Sequence, residues 1–410
     1  MTAPVILIIG TADTKADELL FMKHCIEQQG ATALVMDVSV LDDPPFGVDI
    51  SRHEVATAAG TTNQAIIDLG DENLAMAKTA EGAGNLTLEL QQQGRIDGVI
   101  ALGGTMGTDL ALDVASMLPL GVPKVVLSTV AFSPLLPPER IAPDLEMMLW
   151  AGGLYGLNSI CRASLSQACG AVVGAARAVL PPQTERPVIG LTSLGTSSLK
   201  YMVPLKPALE ARGFEVAVFH TTGMGGRAME TLAARGRLAA VLDFSLIEVS
   251  NHHNGSVVSA GADRLEAAGR AGVPQIVAPG GVTLIDMQAW AEVPEKYRQR
   301  GFHAHNRLIA CAIMEAAEKR SVARAIAAKL AKAQGPTSFI MPLGGIDEWD
   351  KEGGPFHDPA GLAAFAEEIR AHLKPPVELI ELDAHINDQA FADSALAVLD
   401  RWISDGVVAV

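Results

Sequence analysis

Short apolar runs alternate along this chain with longer segments in which apolar residues recur every three or four positions. Runs such as 5–9, 98–102 and 188–192 consist mainly of aliphatic residues and glycine. A run this short and uniformly apolar is typical of a strand buried on both faces, and the segments between the runs have helical spacing. The alternation predicts an α/β fold with parallel sheets covered by helices.

The same alternation starts twice. A proline-rich polar segment at 181–187 separates the two series and predicts a linker. With 410 residues the chain is too long for one ordinary core. We therefore predict two Rossmann-like domains, residues 1–182 and 187–410, with a ligand cleft between them. The last predicted helix, 388–404, belongs to the second domain or packs back on the first.

Local patterns predict structure in four further segments. Residues 63–93 predict one long helix or two shorter ones, interrupted near Gly82 and Gly84. Segment 142–156, with proline, methionine and tryptophan, predicts a loop or lid, and 251–255 predicts a loop. A helix is predicted over 307–332, with Asn306 as its N-cap.

A glycine-rich turn follows the buried run 98–102 and precedes a helical pattern at 109–117. A strand, a glycine-rich turn and a helix in succession present backbone N–H groups and a helix N-terminus to an anion. Glycine also serves turns that bind nothing, and threonine is an ordinary N-cap. The predicted ligand-binding residues of this turn are Gly103, Gly104, Thr105, Gly107 and Thr108.

The first strand and helix repeat this arrangement. The predicted ligand-binding residues here are Gly10, Thr11, Asp13, Thr14 and Lys15. Lys15 is unfavourable in the first turn of a helix unless an anion or a carboxylate such as Asp17 or Glu18 is near. The alternative for Thr14 and Asp17 is a capping box. Asp37 ends the second strand, where it either holds a ribose or caps the next turn.

Composition narrows the class of protein. Hydrophobic residues make up 49%, charged residues 19% and aromatic residues 4%, and the formal net charge is -16. This acidity disfavours nucleic acid and anionic membranes as partners. No signal peptide or membrane-length apolar run is found, which predicts a cytoplasmic protein. The four cysteines lack C-x-x-C spacing and fall in segments with helical patterns, which predicts reduced, buried thiols.

The strand ends of the second domain carry further polar clusters. Such ends meet at one edge of a parallel sheet, where ligands bind. The predicted substrate-binding residues are Ser193, Gly195, Thr196, Ser197, Thr221, Thr222, Gly280 and Gly281.

Histidines and carboxylates supply candidate acid and base groups. His303 and His305 have the H-x-H spacing that places two imidazoles on one side of a strand, as two metal ligands would be. The alternative is that they lead into the helix predicted from 307. The candidate catalytic residues are His220, Glu248 and His303. No hydrolase triad motif and no G-x-G-x-x-G turn of dehydrogenases is present.

Several of these stretches together resemble a known family, the proteins similar to the ATP-binding inhibitor domain of the tomato mosaic virus resistance protein. The matching stretches are 10–15, 103–108, 194–197, 219–226, 259–268 and 342–345. The resemblance implies two Rossmann-like domains, ATP and Mg²⁺ in the amino-terminal half, and self-association. The segment from Ser245 to Gly255 departs from the family pattern, since it lacks a threonine run and an aspartate, so the ligand of the second domain can differ.

These observations leave three hypotheses about function. The protein binds ATP or a related nucleotide phosphate in its first domain. Alternatively, it is an enzyme acting on a small polar carboxylate or phosphate with acid/base residues from the second domain. In the third hypothesis it is a non-enzymatic, nucleotide-responsive homo-oligomer.

Overall fold

A computed structural model describes residues 2–180, 182, 185–195 and 197–410. The chain divides by its contacts into two units, Met1–Gln183 and Thr184–Val410. Within the predicted linker, Pro181, Gln183 and Thr184 lie outside the described residues, as does the predicted substrate-binding residue Thr196.

The first unit is built on a five-stranded parallel sheet. Its strands are β1 (Val5–Gly10), β2 (Thr32–Asp37), β3 (Gly98–Gly103), β4 (Lys124–Ser128) and β5 (Glu146–Leu149). The strand order is β2-β1-β3-β4-β5. Its helices are α1 (Ala16–Gln28), α2 (Arg52–Ala58), α3 (Asn63–Ile67), α4 (Glu72–Gln92), α5 (Thr105–Met117) and α6 (Ser159–Ala178), with a 3₁₀ helix at Pro138–Arg140.

Both faces of this sheet are covered, which is why the inner strands β1 and β3 are apolar at every position. Ile6 and Ile8 of β1 pack in a core with α1 and α6, whereas Leu7 and Ile9 pack in a second core with α2, α4 and α5. The two-residue period of a strand thus divides one run of aliphatic residues between two cores.

The order of these strands places a topological switch point between β1 and β3, since the chain proceeds from β1 to one side of the sheet and from β3 to the other. In open parallel sheets, ligands bind in the crevice outside the carboxyl ends of the two strands at such a point.

The second unit has a six-stranded parallel sheet and a small antiparallel sheet. The parallel strands are β6 (Val188–Ser193), β7 (Glu215–His220), β8 (Ala240–Ser245), β9 (Gln275–Gly280), β13 (Thr337–Pro342) and β14 (Glu378–Leu382), in the order β14-β13-β9-β8-β6-β7. The small sheet comprises β10 (Leu284–Gln288), β11 (Phe302–Ala304) and β12 (Ile309–Ile313), with β12 in the middle. The helices are α7 (Met202–Ala211), α8 (Gly225–Ala234), α9 (Ile247–His253), α10 (Ala267–Arg270), α11 (Ala316–Leu330), α12 (Pro359–His372) and α13 (Gln389–Ser404), with a 3₁₀ helix at Glu295–Tyr297.

Helices cover both faces of this sheet as well. One core contains residues of α7 and α13, and the other contains residues of α11 and α12. Phe391 and Trp402 place the last helix, α13, in the core of its own unit. The predicted α/β class, with a parallel sheet in each unit, is confirmed, and the predicted cleft between the domains stays a prediction.

The structure corrects two predictions in the first unit. Residues 68–71 separate α3 from α4, so the helix is not interrupted at Gly82 or Gly84. A side chain at Gly82 would meet Val55 O of α2 at 2.0 Å, so this glycine allows two helices to approach closely. The predicted loop at 142–156 contains β5, a short edge strand paired with β4.

Three helix boundaries also differ from prediction. α11 begins at Ala316 and not at 307, because 302–313 folds as the β11–β12 hairpin. Residues 251–253 belong to α9 and are not a loop. α5 begins at Thr105, so most of the predicted turn is the first turn of a helix.

Among the described residues, no helix combines the length and apolar composition that crossing a bilayer requires. Cys25, Cys161, Cys169 and Cys311 are free thiols. Cys311 lies on β12, so the helical context predicted for it is wrong.

Candidate functional site

A cavity of about 600 Å³ lies at the β1/β3 switch point of the first unit. This volume suits a small molecule the size of a nucleotide. Its polar wall contains eight of the ten residues predicted from the two glycine and threonine turns. Its other wall, from the loop after β2, from α3 and from the start of α4, is apolar apart from the carboxylates Asp71 and Glu72. The eight are Thr11, Asp13, Thr14, Lys15, Gly103, Gly104, Thr105 and Gly107.

The loop after β1 is held in place from β2. Asp37 is fully buried, and its Oδ1 accepts hydrogen bonds from Ala12 N at 3.0 Å and Ser39 N at 2.9 Å. Ser39 Oγ in turn accepts from Asp13 N at 3.1 Å. Asp37 therefore anchors the loop from below, as its alternative role of capping the turn requires, and it is not among the residues that line the cavity. Its other alternative, as a ribose ligand, stays a prediction.

Two helix N-termini at the cavity lack side-chain caps. α1 begins after Lys15 and α5 after Gly104, and neither receives a capping side-chain hydrogen bond. The predicted capping box of Thr14 is wrong, since its Oγ1 is 2.9 Å from Thr11 Oγ1. The other helices of the unit are capped through Ser51, Thr62, Asp71 and Asn158. The backbone N–H groups that a helix start leaves unpaired are therefore available at this cavity to an anion.

The charged groups beside the two turns, Lys15 and Asp13, suit a phosphate and a metal ion. Among the described residues, no carboxylate is within ion-pair distance of Lys15, whose Nζ donates only to Thr14 O at 3.3 Å. Asp17 and Glu18 therefore do not compensate its charge. The Oδ1 atom of Asp13 is buried and has no hydrogen-bond partner in the described part of the chain.

Two predicted residues of this site lie beneath the cavity. Thr108 is fully buried on α5, and its Oγ1 is 2.7 Å from Ser128 Oγ of β4. A side chain at Gly10 would meet Leu19 at 2.8 Å and Leu102 at 3.0 Å. Neither residue lines the cavity, because Gly10 packs the end of β1 against Leu19 of α1 and Leu102 of β3, and Thr108 packs α5 against the end of β4.

A second cavity, of about 160 Å³, lies at the corresponding switch point of the second unit, beyond the ends of β6 and β8. Residues following β6 and β7 form one side, and the small antiparallel sheet forms the other. Its lining residues are Leu194, Gly195, Ser197, His220, Thr222, Ile247, Leu284, Asp286, His305, Asn306, Ile309, Ala310, Cys311 and Trp349.

The two-residue period of the small sheet divides its side chains between this cavity and a core. Ile285 and Met287 of β10 are core residues, whereas Leu284 and Asp286 line the cavity. Asp286 is directly opposite Cys311 of β12 and therefore points to the same face.

Burial raises the pKa of both Asp286 and Cys311. Burial, and secondarily the charge of Glu248, raises the pKa of Asp286 to about 6, against an opposing hydrogen bond from Asn251. Burial also raises the pKa of the Cys311 thiol to about 12, with Asp286 and Asp347 adding to the effect. Cys311 thus stays protonated at neutral pH and is a poor nucleophile.

The predicted substrate-binding residues separate into two groups. Gly195, Ser197 and Thr222 line the second cavity. Ser193, Thr221, Gly280 and Gly281 are buried beneath it and do not line it. Thr221 Oγ1, for example, donates to Ser193 O at 3.1 Å.

The three candidate catalytic residues do not converge. His220 lines the cavity, and its Nδ1 accepts from Gly195 N at 3.3 Å. Glu248 is fully buried in an ion pair with Arg264. His303 packs its ring 5.0 Å from that of Trp349 and does not line the cavity. The predicted acid/base site of three residues is therefore wrong for Glu248, whose carboxylate is paired with Arg264 in the core, and a catalytic role for His303 stays a prediction.

The H-x-H segment does not form a metal site in the described part of the chain. His303 lies on β11 as the strand alternative required, but His305 lies in the following turn and their ring centroids are 6.3 Å apart. Among the described residues, no three histidine, cysteine or carboxylate side chains are placed to hold a metal ion together.

Asp286 is a residue of this cavity that the sequence patterns did not predict. Its signal was a lone carboxylate in an otherwise apolar run, Leu284 to Met287. The run is too short to distinguish a strand from part of a helix, so the face on which the carboxylate lies was not predictable.

Comparisons with known proteins identify relatives over nearly the whole chain. A model described as the uncharacterised protein family (UPF0261) N-terminal domain matches residues 4–181, and the C-terminal domain model of that family matches residues 186–403. A UPF0261 protein of Brucella melitensis is 58% identical over 99% of this chain and 97% of its own length. One from Clostridium tetani is 34% identical over 94% of this chain and 96% of its own.

A plant protein is a more distant relative. The ToMV resistance protein Tm-1(GCR237) of Solanum lycopersicum is 28% identical, and the match covers 98% of this chain and 56% of that protein. Among solved structures, the Streptomyces glycosyltransferase SsfS6 is 12% identical with a TM-score of 0.19, over 95% of this chain and 99% of its own. A TM-score this low supports no inference about function.

Proposed function

We propose that this chain, which belongs to the UPF0261 family, binds ATP or a related nucleotide phosphate in the cavity of its first unit. The observation that carries the proposal is the convergence of two uncapped helix N-termini at the β1/β3 switch point. Each supplies backbone N–H groups and the positive end of a helix dipole, which together stabilise phosphate oxygens.

The cavity also separates polar from apolar surface in the way a nucleotide requires. Lys15, Thr14 and Thr105 form part of one wall, where they can bind phosphate oxygens. Val40, Met76 and other apolar side chains form another wall, which suits a base.

Asp13 is the residue that would hold Mg²⁺. The ion usually binds proteins through one or two carboxylates and otherwise through substrate phosphates and water. A buried carboxylate oxygen without a partner beside a phosphate-binding wall meets that requirement.

Isothermal titration calorimetry with Mg-ATP tests the proposal. Lys15→Gln is expected to weaken binding by about 1.5–3 kcal/mol, roughly 10- to 150-fold in Kd, because it removes a charged donor. Lys23→Gln is the matched control and should bind as wild type does, since Lys23 lies on α1, the helix that follows Lys15, and is paired with Asp49 at 3.0 Å outside the cavity. Absence of heat and of thermal stabilisation at millimolar Mg-ATP would overturn the proposal.

Gly104→Ala provides a second, steric variant. A side chain there would meet only Thr129 Oγ1, at 3.8 Å, so the fold should tolerate it. The added methyl group stands where a phosphate would approach the backbone, and we expect weaker Mg-ATP binding with an unchanged melting temperature. Comparing ATP with a non-hydrolysable analogue then distinguishes a nucleotide-responsive protein, which responds to both without turnover, from an enzyme, which turns over only ATP.

A further inference from the structure

The second cavity has an unbalanced charge. Among the described residues that line it, Asp286 is the only carboxylate, and none is lysine or arginine. Asp286 is 6% exposed, and its Oδ2 accepts from Asn251 Nδ2, a neutral donor, at 3.0 Å. A buried carboxylate is expensive unless a cation compensates it, and in the described part of the chain no lysine or arginine lines the cavity beside this one.

The wall around Asp286 is apolar and aromatic. Trp349 lines the cavity and is held in place from two sides, since its backbone N donates to Asp347 Oδ1 at 2.8 Å and its ring packs against Phe356. Leu284 and Ile309 add aliphatic surface. A carboxylate and an indole ring in one cavity are the groups with which proteins recognise an organic ammonium ion.

Size limits the ligand. An engineered cavity of about 150 Å³ holds benzene, so this one, at about 160 Å³, admits a molecule of about six heavy atoms. We propose that the second unit binds a small organic ammonium ion, with Asp286 as its counter-ion and Trp349 and the aliphatic side chains around its apolar part. The proposal is independent of nucleotide binding in the first unit.

The electrostatic state of Asp286 supports this assignment and adds a pH dependence. Burial raises its pKa to about 6, and a bound cation would lower it again. Affinity for an ammonium ion should therefore fall as the pH drops below about 6, because the carboxyl becomes neutral. The titratable and charged groups near Asp286 are Glu248 on α9, which is paired with Arg264, Cys311 across the small sheet, and His220 and His305 in the cavity wall. Asp347, whose Oδ1 accepts from Trp349 N, is a further buried carboxylate, and burial raises its pKa to about 6 as well.

The test uses the full chain and three probes of similar size: n-butylammonium chloride, n-butanol and sodium butyrate. Binding is followed at pH 8 by saturation-transfer NMR and calorimetry. We expect n-butylammonium to bind at least about tenfold more tightly than either the alcohol or the carboxylate. Equal binding of the alcohol, or tighter binding of butyrate, would overturn the proposal.

Asp286→Asn should abolish the preference for ammonium over alcohol, since the amide keeps the shape and loses the charge. Asp383→Asn, at an exposed carboxylate of the same unit, is the matched control and should retain the preference. If Asp286→Asn does not fold, wild type at pH 5 decides: a preference as large as at pH 8 contradicts the assignment, and a loss of about tenfold supports it.

Discussion

Glu248 and Arg264 form an ion pair in the core of the second unit, with 2.9 Å between Oε2 and Nε and neither side chain exposed to solvent. The other oxygen of Glu248 accepts from Gly223 N at 2.8 Å and Gly226 N at 3.2 Å. Glu248 therefore fixes the turn that leads into α8. Both of its oxygens are engaged within the fold and neither is exposed, which is why it cannot act on a ligand in the neighbouring cavity.

Arg264 also compensates Asp243 and Glu230, so its loss should be costly. It donates from Nη2 to Asp243 Oδ1 at 2.8 Å, and Nη1 is 3.1 Å from Glu230 Oε1. We expect Arg264→Met to lower the free energy of unfolding by about 3–5 kcal/mol, because it leaves buried carboxylates without their cation. Urea denaturation followed by circular dichroism measures this change.

Arg270→Met is the control for that experiment. Arg270 is half-exposed, and its nitrogens are 3.6–3.7 Å from Glu266 and Asp263. Surface pairs of this kind contribute about 0–1 kcal/mol. Similar losses in the two variants would show that the network around Arg264 does not stabilise the core.

Two threonines from the predicted nucleotide turns should behave differently. Thr108→Val removes a buried hydroxyl that lies 2.7 Å from Ser128 Oγ, and we expect a loss of about 1–3 kcal/mol in the free energy of unfolding. Thr14 is exposed at the cavity, so Thr14→Val should cost stability little and weaken Mg-ATP binding about two- to tenfold. Urea denaturation and calorimetry on both variants separate the two effects. The reverse result would contradict the assignment of Thr14 to the cavity and of Thr108 to the core.

Stability should depend on pH through Asp286. Its pKa is about 6 in the folded protein, raised by burial, against about 3.9 in an unfolded chain. The stability contributed by this proton is complete below pH 4 and is lost as the pH rises through about 6. Asp286→Asn removes the ionisation, so its free energy of unfolding should exceed that of wild type by roughly 2–3 kcal/mol at pH 8.

At pH 4 the two proteins should be about equally stable, because the carboxyl of wild type is then neutral as well. Urea denaturation at several pH values between 4 and 8 measures the difference. Asp383→Asn should stay within about 0.5 kcal/mol of wild type throughout. A difference between Asp286→Asn and wild type that does not grow with pH would contradict the prediction.

Two glycines give opposite predictions for substitution by alanine. A side chain at Gly226 would come within 1.7 Å of Glu248 Oε2, so Gly226→Ala should lower the free energy of unfolding by about 1–3 kcal/mol. At Gly174, within α6, a side chain meets nothing within 4 Å, and alanine should raise stability by roughly 0.5–1 kcal/mol. The melting temperature should fall for Gly226→Ala and rise for Gly174→Ala. A Gly226→Ala protein as stable as wild type would contradict the close packing around Glu248.

The first cavity was more predictable than the second. Each of its two turns follows its own strand, so local sequence indicated both, and the adjacency of β1 and β3 brought them together. The second cavity depends on β10 and β12, whose pairing joins residues 284–288 to 309–313. Short runs of this kind carry no local signal for their partner, and the helix predicted from 307 concealed one of them.

By itself the sequence determined the α/β class, most strand positions and the two turns at the first switch point, because burial on both faces and glycine turns leave local patterns. Only the tertiary structure decided which polar residues face a cavity. Thr108 and Glu248 look like ligand-binding residues in the sequence, yet their partners are Ser128 and Arg264 in other elements. A polar group that forms a hydrogen bond or an ion pair with a distant segment is no longer available to a ligand. The local sequence around that group gives no sign of the distant partner.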